Sequence, residues 1–100
     1  MKKYNKLVRD KIPKYLDSKR ISYEKRIASE EEYREELIKK LKEETEEFFE
    51  EKKAEELANI LEVIEALKKF PEFAKVEEIR KRKLKEKGSF EERIILKGEK

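Results

Sequence analysis

Two amphipathic repeats, set a few charged residues apart, constrain this chain more than any other feature. The first carries Tyr33, Leu37, Ile38, Leu41, Phe48 and Phe49, and the second Leu57, Ile60, Leu61, Val63, Ile64 and Leu67. Both sets recur at helical spacing. They predict a long helix over about 30–51 and another over about 54–69, the second stopping before Pro71 because a residue preceding proline is driven out of the helical region. Ser29 followed by Glu32 reads as a capping box at the start of the first. In a chain of 100 residues, too few layers surround two such helices to cover both stripes. The expected fold is therefore an all-α helical bundle, one domain over 1–100, completed by oligomerisation.

The flanks add shorter pieces. Leu7, Val8, Ile12, Tyr15 and Leu16 form a short helical repeat with Pro13 near its first turn, and Glu72–Lys87 forms a third helical stretch closed by Gly88. Ile21, Tyr23, Lys25 and Ile27 fall on alternate positions, and Phe90–Leu96 ends in Ile94-Ile95-Leu96. Together they predict a short two-stranded β element over about 21–27 and 92–96.

Composition limits the chemistry. With no cysteine and no histidine, neither thiolate metal sites nor a Ser-His or Cys-His pair can be built, which leaves carboxylates, Lys, Arg, Tyr, hydroxyls or a metal. No apolar run approaches the roughly 20 residues of a membrane span, and Met1-Lys2-Lys3-Tyr4 leads into charged sequence without an apolar signal core. A cytoplasmic protein is expected. The 53% charged fraction, rich in Lys and Glu and without glutamine, points to a thermophile. Charge is segregated: residues 30–65 hold 15 acids and 6 bases, net −9, leaving 10 acids and 22 bases elsewhere, net +12. Any one of these charges reads as a solvated helix face, but acid and base side by side also suit a metal with a polyphosphate. The basic flanks lack the aromatic interleaving of a nucleic-acid binder, so nucleic acid is not expected as a partner.

The acids carry the functional pattern. Glu43, Glu44 and Glu47 are helical neighbours, as are Glu56 and Asn59 on the next helix, and such oxygen ligands suit a hard cation like Mg2+. At about 100° per residue, Glu44 falls roughly 20° from Leu37, inside the apolar stripe, while Glu47 and Glu43 line its edge. Glu56 lies among Ile60, Val63 and Leu67, with Asn59 beside it. A carboxylate on a buried face costs several kcal/mol unless it is paired or bound to metal. Two readings stay open here: a salt bridge, for Glu44 with Lys40, or a metal site.

Tyr4-Asn5-Lys6-Leu7-Val8-Arg9-Asp10-Lys11-Ile12-Pro13 resembles the opening signature of the MazG-like, phosphoribosyl-ATP pyrophosphohydrolase-related branch of the all-α nucleoside triphosphate pyrophosphohydrolases. Leu41–Phe48 is similar to that family's E-E-x-x-E helix, Glu56–Leu67 to its E-x-x-D helix, and Lys83–Phe90 to its closing K-x-x-x-[KR]-G-G-F segment, with Ser89 for the second glycine. The resemblance spans essentially the whole chain and keeps the motif order. It implies Mg2+-dependent (or Mn2+-dependent) hydrolysis of a nucleoside triphosphate to monophosphate and pyrophosphate, of the house-cleaning type, in a homodimer or homotetramer. By motif position it implies Glu43, Glu44, Glu47 and Glu56 as catalytic metal ligands, with Asn59 completing the metal set and one outer carboxylate acting as base. Lys6, Arg9, Lys11, Lys83 and Lys87 are the implied triphosphate contacts.

The chain departs from the pattern at Asn59, where the family has aspartate. An amide oxygen still coordinates, but it is neutral and cannot act as a base. Attenuated turnover is the consequence. The alternative is a nucleotide-binding or regulatory helical module that has the fold without the activity.

Overall fold

A computed structural model describes residues 5–99, so Tyr4, which heads the opening motif, lies outside the described residues. The protein is all-α. Its helices are α1 (Ile12–Ser18), α2 (Glu30–Glu51), α3 (Ala54–Leu67) and α4 (Val76–Lys87), with a 3-10 turn at Pro71–Phe73. The chain divides into two compact units, one through Leu67 and one from Lys68.

In the first unit, Pro13 sits in the first turn of α1, where its missing N–H removes no helical bond. The helix closes as the Lys19 amide reaches the carbonyls of Tyr15 and Leu16, and Arg20, in the left-handed region at φ 57°, turns the chain away. Ser29 caps α2 with an extended backbone, its Oγ accepting from the Glu32 amide at 3.2 Å. Glu30, Glu31 and Glu32 place negative charge on the positive end of the helix dipole. The reciprocal half of the expected capping box is not made. The Glu32 carboxylate instead takes both arms of the Arg26 guanidinium at 2.6 Å, a charge-assisted fork that outcompetes a neutral amide.

Lys52 ends α2 in the left-handed conformation at φ 53°, its amide returning to Phe48 O at 2.9 Å and its Nζ to Phe49 O at 3.0 Å. So short a link makes α2 and α3 a helical hairpin, and the two pack along their lengths. Leu37 on α2 and Val63 on α3 are buried, with Leu41, Phe48, Ile60, Ile64 and Leu67 half-buried. Tyr33 is half-buried as well, while Ile38, Phe49, Leu57 and Leu61 face outward, with Phe49 at 73% exposure. A single chain therefore covers one side of each stripe.

In the second unit Phe70 is buried. The helix expected over 72–87 is broken. Amides of Phe73 and Ala74 bond three residues back, to Phe70 and Pro71, and the α-helical pattern resumes only when Ile79 N reaches Lys75 O. Gly88, at φ 79°, closes α4 in a conformation that a Cβ would strain. The expected β element is absent among the described residues, and 21–29 and 94–99 carry no regular structure. Arg93, in the left-handed region at φ 58°, bends the tail into a turn on Phe90 O, and Ile27 and Ile95 are each 92% exposed. Neither segment has an apolar face to rest on, and a two-stranded ribbon without one is marginal. No helix among the described residues is long and apolar enough to cross a membrane.

Candidate functional site

The carboxylates singled out by sequence stand on the α2–α3 hairpin, and their burial follows their place on the helix. Glu44, inside the apolar stripe, is 7% exposed. Glu43 and Glu56 are half-buried, as is Asn59, and Glu47 is exposed at the stripe's edge. Lys40, one turn before Glu44, brings its Nζ to 3.9 Å from Glu44 Oε1, too long for a hydrogen bond. That is the salt bridge named from sequence, in a loose form. Among the described residues, Glu44 Oε2 and Glu56 Oε1 are buried with no hydrogen-bond partner. A buried acceptor without a donor is destabilising, so either a hydrogen-bond donor or a cation at these oxygens would be favourable.

Glu47 reports the same field. Its carboxyl holds its proton above the ordinary carboxylate range, chiefly because the negative charge of Glu44 opposes ionisation, then because of partial desolvation and a hydrogen bond that only the protonated acid can donate to Glu44. Glu43 adds to the repulsion and Lys40 relieves part of it. Among the described residues no three carboxylates converge closely enough to grip a metal ion as the side chains stand. The donor set still fits one, because the orphaned oxygens are hard ligands of the kind a divalent cation takes.

Two of the predicted phosphate contacts meet this cluster. Lys6 Nζ lies 3.6 Å from Glu43 Oε1, and Arg9 Nη2 donates to Asn59 Oδ1 at 2.8 Å. Sequence reasoning missed both pairings, since partners 37 and 50 residues away leave no periodic signal. Lys11 is exposed at the head of α1. Lys83 and Lys87 are exposed on α4, in the second unit. Comparison with protein-family models, with curated proteins and with solved structures gives no match to this chain.

Proposed function

We propose that this chain is a Mg2+-dependent nucleoside triphosphate pyrophosphohydrolase of the MazG-like kind, cleaving between the α and β phosphates to give a nucleoside monophosphate and pyrophosphate. The observation that carries the reading is the pair of buried, unpartnered oxygens on Glu44 and Glu56, on helices that pack together. The Lys40 contact engages only the other oxygen of Glu44, at 3.9 Å. Glu43, Glu44, Glu47, Glu56 and the Asn59 amide oxygen would hold Mg2+ or Mn2+. Bound there, the cation would polarise phosphoryl oxygens, neutralise developing charge and acidify a water.

The chain's own residues supply the rest. One of the outer carboxylates, Glu43 or the exposed Glu47, would take a proton from an attacking water. Without a cation the charge of Glu44 raises the proton affinity of Glu47, and a cation held by both would relieve that repulsion. Lys6, Arg9 and Lys11 would meet the triphosphate from the segment leading into α1, and Lys83 and Lys87 are further candidates. The outward Ile38, Phe49, Leu57 and Leu61 support assembly into a homodimer or homotetramer.

A second reading has its own support. Arg9 already engages the Asn59 oxygen, and Asn59 carries no charge with which to hold a cation against it. The chain would then be a nucleotide-binding module with little turnover. A panel of nucleoside triphosphates incubated with Mg2+ or Mn2+ separates the two: equimolar monophosphate and pyrophosphate supports the enzyme, whereas saturable binding without product supports the module.

A further inference from the structure

Lys6 and Arg9 stand three residues apart on the segment before α1, and each touches a different helix of the hairpin. Lys6 is 3.6 Å from Glu43 on α2, and Arg9 bonds Asn59 on α3 at 2.8 Å. Leu7, between them, is half-buried and anchors the segment, while Lys6, Val8 and Arg9 stay exposed. Both contacts occupy oxygens of the candidate cation site. Both are also solvent-exposed pairs, which are weak and exchange readily. A polyphosphate offers these bases more charge than one carboxylate or one amide, and a guanidinium grips phosphate through two parallel bonds.

We propose that the Asn5–Lys11 segment is an internal counter-ion strap. Without ligand, Lys6 and Arg9 hold Glu43 and Asn59; a polyphosphate anion draws both bases to itself and releases those oxygens to a divalent cation. Anion and cation then bind with positive coupling, which thermodynamics makes reciprocal. The proposal rests on the reading above, its anion half on the triphosphate contacts and its cation half on the metal site.

Two titrations of the full chain test it. In the first, 15N-labelled protein with chelator and no metal is titrated with inorganic tripolyphosphate while the Arg9 Nε–H and the Asn59 side-chain amide are followed. Both signals should move along one saturating curve, and that of Arg80, paired with Glu77 on α4, should not. An Asn59 amide that stays fixed while anion binds, or an absence of saturable binding, overturns the strap. In the second, Mn2+ binding is measured by calorimetry on the starting protein and on the Lys6→Ala/Arg9→Ala variant. Removing two exposed competitors should tighten Mn2+ by about 2- to 30-fold, and an unchanged or weaker affinity overturns the coupling. If neither protein takes up Mn2+, the metal reading fails and the anion titration alone decides the strap. If Mn2+ binds but the anion titration fails, the strap is overturned and the metal reading stands.

Discussion

Replacing Glu44 by leucine should make this protein more stable. Glu44 is 7% exposed on the packed face of α2, Lys40 approaches it only to 3.9 Å, and its Oε2 has no donor among the described residues. Removing two charges from water costs several kcal/mol per ion, and a long, one-sided contact does not offset that. Well-packed apolar replacements of buried pairs are often stabilising by about 1–4 kcal/mol. Leucine matches glutamate in helix propensity and would extend the row of Leu37, Leu41 and Phe48. Lys40, left without its partner, is partly exposed and can carry its ammonium to solvent. A gain of about 1–3 kcal/mol is expected, which for a domain of this size is roughly 5–20 °C in melting temperature. Thermal unfolding by circular dichroism, at fixed protein concentration and with chelator, reads it directly. The same variant should lose its metal response, the stability–function conflict of a site held in readiness for a ligand. A melting temperature lowered by Glu44→Leu would mean that the carboxylate is structural, and would refute the reasoning.

The raised proton affinity of Glu47 should fall toward the ordinary carboxylate value in Glu44→Gln, as followed by carboxyl 13C titration, because the charge of Glu44 is its main cause. Glu47 binds its proton more tightly folded than unfolded, so its contribution to stability falls as pH rises through the window above the ordinary glutamate value. Glu32 and Glu77 have the opposite sign: Arg26 and Arg80 lower their folded values, so their stabilisation is present above the unfolded value and is lost as pH falls through the folded one. Chemical unfolding of Arg26→Ala across pH 3–7 should show a shallower acid loss than the starting protein, and an unchanged pH profile would count against the pairing. Asn59→Asp should raise pyrophosphate release on the order of 10-fold or more, as befits restored charge or general-base help; turnover within error of the starting protein removes position 59 from the site. Leu61→Glu, at a position 62% exposed on the outward face of α3, should lower the mass seen by light scattering without reducing helix content. An unchanged mass would show that this face is not the interface.

Local rules made much of the fold readable. Ser29 fixed one end of α2 and the stripes fixed its length, while the 3.6-residue period set Glu44 inside the stripe; it did not distinguish half-buried Glu43 from exposed Glu47. The same period named Lys40 as the partner of Glu44. The failures share a physical origin in competition that sequence does not display. Glu32 had two possible partners, and the forked Arg26 won over the Ser29 amide. Ile94-Ile95-Leu96 has strand propensity but no surface to pack on, and propensity in a sheet is mostly packing. The stretch after Pro71 is helical in composition, yet its first turn closes with three-residue bonds before α4 begins. Periodicity also does not say which residues of a stripe one chain covers: the hairpin buries Leu37 and Val63 and leaves Ile38, Phe49, Leu57 and Leu61 exposed. Lys6 and Arg9 reach Glu43 and Asn59 only because the chain folds back over the hairpin, and no spacing rule contains that fact.

If the unpartnered oxygens of Glu44 and Glu56 are kept for a divalent cation, the melting temperature depends on Mn2+. A cation that binds only the folded chain stabilises it by mass action, about 1.4 kcal/mol at ten times the dissociation constant. Mn2+ should therefore raise the melting temperature of the starting protein by several degrees and leave Glu44→Gln and Glu56→Gln nearly unmoved. If both variants respond to Mn2+ as the starting protein does, the buried oxygens of Glu44 and Glu56 hold no metal.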